Sequence, residues 1–170
     1  TRMLAQIGDL LRSSLDSEVT AEVALAQELT FTEGYLAIEQ TRLGDRLRFD
    51  MVIPMETRDA LVPSMLLQPL VENAVRHGVA PLVEGGWVSI ESALHADRLQ
   101  IVISNSGRRS EGEQRKNGIG LGNTAERLKT LYGTDFELSL RWPETGGCEV
   151  MLELPLHRSA NWQEALPCVF

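Results

Sequence analysis

Residues 63–78 read PSMLLQPLVENAVRHG, a run whose apolar positions recur with helical spacing and which sets the adjacent pair Glu72 and Asn73 into an otherwise apolar surface. Side chains four apart share a helix face, so a regular helix would stack Asn73 over His77 and Glu72 over Arg76. The row through Leu66, Leu70 and Asn73 starts as a buried stripe, and a purely structural helix would put Leu or Ala where Asn73 stands. A buried amide needs partners, which allows two readings. In the plainer one Asn73 bonds nearby backbone, and Glu72 with Arg76 is an ordinary surface pair. In the other the Asn73 carbonyl oxygen is a ligand for Mg²⁺, a hard cation that takes oxygen donors and keeps waters beside phosphate. Glu72 is then placed as a general base. His77 is of a type that packs or contacts phosphate. Pro69 falls inside the predicted helix, where its missing N–H is expected to kink or restart it.

Downstream, alternation along Leu99, Ile101 and Ile103 puts Asn105 on the same core-facing side, at the end of a predicted strand. Followed by Ser106 and Gly107, Asn105 can simply begin a turn. The sharper reading lays its side chain under a pocket, with the carbonyl oxygen accepting from the amino group of adenine. Residues 108–117, RRSEGEQRKN, contain no large apolar side chain and read as a solvated, mobile loop. Gly118, Gly120 and Gly122 follow at every second position, which permits close backbone approach to a ligand. They lead into a helix expected over 121–132, whose free amide end attracts phosphate. The spacing is not that of a Walker-type loop, since no Gly-Lys-Ser/Thr follows. Nor is it a dinucleotide fingerprint, since no strand leads directly into it.

Upstream, Leu4, Ile7, Leu11 and Leu15 recur at helical spacing. A second helix fits roughly 21–43, with Thr20 as its cap. These read either as two packed helices of any bundle or as a remnant of a dimerising hairpin. At Arg46 the period changes: Leu47, Phe49 and Met51 alternate as a half-buried strand would. Residues 87–94 and 99–104 read as a hairpin turning near His95-Ala96-Asp97, and 136–142 and 148–154 as another joined by Pro143-Glu144-Thr145-Gly146-Gly147. Strands with two intervening helices, and no strict βαβ alternation, predict an α+β fold, a two-layer α/β sandwich preceded by a partial helical hairpin. The expected division is 1–45 for the helical region, 46–157 for the main domain and 158–170 for a tail without clear period.

With 170 residues, 43% hydrophobic and seven prolines, the chain can bury a core and is not biased toward disorder. A net charge of −8 argues against general nucleic-acid or anionic-membrane surfaces, which are bound by neutralising Lys and Arg. A free nucleotide stays open, because a few donors and a cation offset the global charge locally. Cys148 and Cys168 form no disulfide framework and match no zinc spacing, so a reducing, cytoplasmic setting is expected. No apolar run nears the roughly 20 residues that cross a bilayer, so this piece is expected to make no membrane contact. A chain opening on Thr1 is expected to be a fragment or a processed product.

Together these motifs resemble the ATP-binding domain of sensor histidine kinases, in the superfamily shared with gyrase, MutL and the ninety-kilodalton heat-shock chaperones. LLQPLVENAVRHG resembles the N-box of the LytS-type branch, NGIGLGNTAERLKTLYG its second glycine box, and ELTFTEGYLAIEQTRLGDRL the helix that precedes the ATP domain in that branch. The resemblance runs from about Leu10 to Leu154. It implies that Asn73 holds Mg²⁺, that Glu72 is the catalytic base and that Asn105 contacts adenine. It further implies nucleotide contacts at Arg76, His77, Gly107, Gly118, Gly120, Leu121, Gly122 and Asn123, beneath a lid over 108–117. Two departures stand out. Asn105 replaces the usual Asp and Arg109 a second glycine, so an acceptor for the adenine amine remains without its charge. The branch also carries its reactive histidine in a Pro-His-Phe setting, and His77, His95 and His157 lie in other contexts.

The implied reaction is transfer of the γ-phosphoryl group of Mg-ATP to a histidine outside this piece, helped by positioning and charge neutralisation. The implied partners are ATP and, through the full-length parent, a response regulator. The parent is expected to be a homodimer, and an anchor in the inner membrane is compatible with the resemblance. Two other readings stay open: a non-catalytic nucleotide-sensing module, favoured by Asn105 and the absent acceptor, and a serine kinase of the anti-sigma type. The LytS-like helix before Arg46 weighs against the latter.

Overall fold

In the computed structural model, residues 22–108 and 119–158 are described, the side chains of Ile119 and Gly120 excepted. The predicted helix over 4–15, the Thr20 cap, the loop beyond Arg108, Gly118 and the last twelve residues lie outside the described part. Strand β1 (Glu22–Ala24) leads into helix α1 (Leu25–Leu43), and β2 (Leu47–Val52) and β3 (Ala60–Pro63) follow. Helix α2 (Leu67–Asn73) continues as a widened π-helical stretch, Ala74–Val79, before strands β4 (Gly86–His95) and β5 (Arg98–Asn105). Helix α3 (Ile119–Tyr132), β6 (Glu137–Arg141), β7 (Cys148–Pro155) and the short β8 (His157–Arg158) complete the order.

Five strands form one sheet in the order β2-β4-β5-β7-β6, antiparallel except for the parallel pair β2 and β4. Residues alternate along its three central strands. Val88 and Ile90, then Leu99, Ile101 and Ile103, then Val150, Leu152 and Leu154, are buried on one face. Their neighbours Glu91, Gln100 and Glu153 are exposed or half-buried on the other. An antiparallel-type sheet with one covered face needs a single helical layer, and α1, α2 and α3 supply it through Leu25, Leu29, Leu36, Leu67, Leu70, Val71 and Leu128. This is the two-layer α/β sandwich expected from the pattern.

Three details differ from the sequence reading. The helix expected over 21–43 starts four residues later, because Val23 pairs with Val62 in a second, three-stranded sheet of order β1-β3-β8. Arg158 pairs with Ala60, so the first residue of the expected tail belongs to that sheet. Pro69 neither kinks nor restarts its helix. It is the third residue of α2, where the amide has no intrahelical acceptor to lose. The change of period at Arg46 marks a new element and not a break in packing. Leu25 and Leu36 of α1 are fully buried in the common core, a burial worth about 1.5–3 kcal/mol each.

Candidate nucleotide site

Helix α2 presents Glu72 and Asn73, both half-buried, at the edge of the core stripe made by Leu66 and Leu70. The nearest partner of Glu72 is one turn back: Gln68 donates from Nε2 to Glu72 Oε1 at 2.8 Å. No ion pair joins Glu72 to Arg76 among the described residues. The reason is the backbone, which widens at Ala74, as the Ala80 N–H bonding to the Val75 carbonyl at 2.8 Å shows. An i to i+5 bond puts more residues in each turn and breaks the i, i+4 rows, so Arg76 and His77 turn to solvent instead of stacking under Glu72 and Asn73. The Asn73 amide makes no hydrogen bond among the described residues.

The widened turn delivers Gly78 to the end of β5. A methyl group at Gly78 would lie 2.1 Å from Asn105 Oδ1, and one at Gly107 would lie 2.6 Å from the same atom and 2.9 Å from Gly78 Cα. Asn105 is buried, with 5% of its surface exposed, and its Oδ1 accepts the Gly107 N–H at 2.8 Å. The plainer expectation, that Asn105 opens a turn, therefore holds. A carbonyl oxygen has two lone pairs, and this bond uses one of them. Two more contacts fix the strand end. Ser106 Oγ accepts the Trp87 N–H at 3.0 Å, and a methyl group at Gly147 would meet the Asn105 carbonyl oxygen at 2.7 Å.

Helix α3 packs against α2, with Leu128 in the core and Arg127 Nη2 3.5 Å from Ser64 Oγ. It starts at Ile119, two residues before the predicted start. Gly120 thus joins Gly122 in its first turn and does not belong to a preceding loop. Leu121 is half-buried, while Gly122 and Asn123 are exposed; a methyl group at Gly122 would meet nothing within 4 Å. Elements far apart in sequence therefore meet on one face of the sheet: α2 with Glu72 and Asn73, the β5 end with Asn105 and Gly107, and α3.

Sequence reasoning missed three supports of this arrangement. Gln68 was findable, as the residue four before Glu72 on the same face. Gly147 was read only as part of a turn. Glu28 on α1, 5% exposed, bonds the start of α2 through both carboxylate oxygens, and no local pattern announces it. Tyr35, seven residues on, is pushed up to about 12 by its burial and by the negative charges of Glu39 and Glu72, against the opposing Arg42. Its phenol is thus in the field of Glu72.

A family model described as histidine kinase matches residues 1–47. The sensor histidine kinase YpdA of Escherichia coli is 31% identical over 167 residues, covering 93% of this chain and 29% of that protein. The sensor protein LytS of Enterococcus faecalis is 25% identical over 169 residues, covering 92% of this chain and 29% of that protein. The chain thus spans less than a third of these curated relatives. Among solved structures, the catalytic domain of the histidine kinase ThkA superposes with a TM-score of 0.63 at 14% identity, over 82% of this chain and 98% of that one. That likeness is one of fold.

Proposed function

The chain belongs to the histidine kinase family, and we propose that it is the ATP-binding catalytic portion of a LytS-type sensor kinase, acting on a histidine outside residues 1–170. The observation that carries the reading is the packing of the Glu72–Asn73 helix, the Asn105 strand end and α3 on one face of the sheet. The donor set fits magnesium: the half-buried Asn73, whose side-chain amide makes no hydrogen bond among the described residues, stands next in sequence to the carboxylate of Glu72. Among the described residues no group of three or more His, Cys, Asp or Glu could hold a metal, so the protein would offer one or two oxygens and phosphate and water the rest. When bound, Mg²⁺ neutralises charge on the phosphate oxygens.

In this reading Asn73 is the metal ligand. Glu72, oriented by Gln68, takes the proton from the incoming nucleophile. Asn105 keeps one lone pair on the Gly107 amide and turns the other to the adenine amino group. Gly118, Gly120, Leu121, Gly122 and Asn123 shape the phosphate side, where the amide end of α3 favours negative charge. Arg76 and His77, exposed by the widened turn, are free to approach the phosphates. The catalytic unit is read as 46–157 with α1 packed upon it, in a cytoplasmic part of a homodimeric parent that serves a response regulator and is anchored in the inner membrane.

The experiment supplies labelled Mg-ATP and a partner carrying the acceptor histidine of the parent. Acid-labile phosphate should form on the partner and disappear with Glu72→Gln. Tight ATP binding without any label would favour the nucleotide-sensing module instead.

A further inference from the structure

Glu28 is a buried carboxylate with no part in the chemistry above. Its Oε1 accepts the Met65 N–H at 2.6 Å and its Oε2 the Leu67 N–H at 3.1 Å. Both donors lie at the start of the helix that carries Glu72 and Asn73, where Leu66 provides no side-chain cap and Met65 has a φ of 55°. A carboxylate from α1 therefore does from a distance what a capping side chain does locally: it satisfies amides that have no intrahelical acceptor. Its charge also opposes the positive end of the helix.

The same face of α1 carries two more groups that are held wholly or partly in the interior. Thr32, one turn beyond Glu28, is 1% exposed, and Tyr35, a further turn on, lies in the field of Glu72. Position 28 meets 65 and 67, and α1 packs against α2. The two Glu28 bonds are, among the described residues, the only hydrogen bonds that tie an α1 side chain to the backbone of α2 and of the turn just before it. They fix where α2 begins along its own axis.

We propose that Glu28 is a positioning residue for the Glu72–Asn73 pair, setting the placement of α2 so that the Asn73 oxygen stands at the metal position. The functional half of this inference rests on the reading of Asn73 given above. The test compares Glu28→Gln with the unaltered 170-residue chain by three readouts: melting temperature, Mg-ATP affinity by calorimetry, and backbone amide resonances of residues 67–79 without nucleotide. The expected result is roughly tenfold weaker Mg-ATP binding, with a smaller change for metal-free ATP. Resonance shifts should extend beyond the first turn to Glu72 and Asn73.

A lowered melting temperature with unchanged Mg-ATP affinity and unmoved Glu72 and Asn73 resonances would overturn the proposal, leaving Glu28 a structural cap only. If Glu28→Gln does not fold, Glu28→Asp keeps the charge, shortens the reach by one methylene and is judged by the same outcomes. Failure of the unaltered chain to bind Mg-ATP would instead remove the nucleotide reading. The hold of Glu28 on α2 is then decided by the resonances alone: movement at Asn73 supports it and constancy refutes it.

Discussion

At Asn105 the side-chain oxygen receives the Gly107 amide, and the side chain occupies the space left by the missing Cβ atoms of Gly78 and Gly107. Its burial was legible, because strict alternation along β5 put it on the core side. Its neighbours were not, since Gly78 lies on another helix and reaches Asn105 only through the widened turn. Glu28 was hidden for a related reason: a glutamate on a helix reads as surface until the amides it binds, at Met65 and Leu67, are folded onto it. Gly122 permits a test at this scale. It sits exposed in the first turn of α3 with open space where a methyl group would go. Gly122→Ala should therefore raise stability by about 0.5–1 kcal/mol in denaturant unfolding, since Ala favours a helix. The same change should weaken ATP binding if phosphate approaches that backbone. Equal affinity in the variant would remove Gly122 from the phosphate side.

Among the elements, the strands of the large sheet were readable from alternation, with β6 placed by the turn-rich connection that joins it to β7. Strands β1, β3 and β8 were not, as runs of three, four and two residues carry no period. The widened turn after α2 also leaves no mark in composition, since it depends on how Gly78 packs on Asn105. The hairpin between β4 and β5 was placed correctly, yet its turn is not built from the usual residues: Ala96 has a φ of 54°, in the left-handed region. A non-glycine residue there costs about 1–2 kcal/mol, of which the extra freedom of an unfolded glycine returns a part. Ala96→Gly should thus stabilise the protein by about 0.5–1 kcal/mol in chemical denaturation. A destabilised variant would show that the turn is not held in this conformation.

Across the whole molecule, the helical layer is one unit with the sheet, and two tyrosines record how its parts close together. Tyr35 is pushed up to about 12, and Tyr132 is raised too, first by burial and then by the hydrogen bond it donates to Glu22 at 2.7 Å, with the charge of Glu22 adding to both. A folded-state pKa above the unfolded value of about 10 means the fold favours the protonated phenol. That stability is complete below pH 10 and is lost as pH rises from there toward 12. The melting temperature should fall through this window, and Tyr35→Phe should make the fall shallower; an unchanged slope in the variant would contradict the assignment to Tyr35. The central claim is that Glu72, Asn73, Asn105 and the start of α3 form one magnesium-dependent nucleotide site. The most direct measurement is calorimetric titration of ATP, with and without Mg²⁺, onto the unaltered chain and Asn73→Ala. The account predicts binding in the micromolar to millimolar range that Mg²⁺ strengthens, and loss of that strengthening in the variant. No binding at millimolar ATP, or the same magnesium dependence in both proteins, would contradict it.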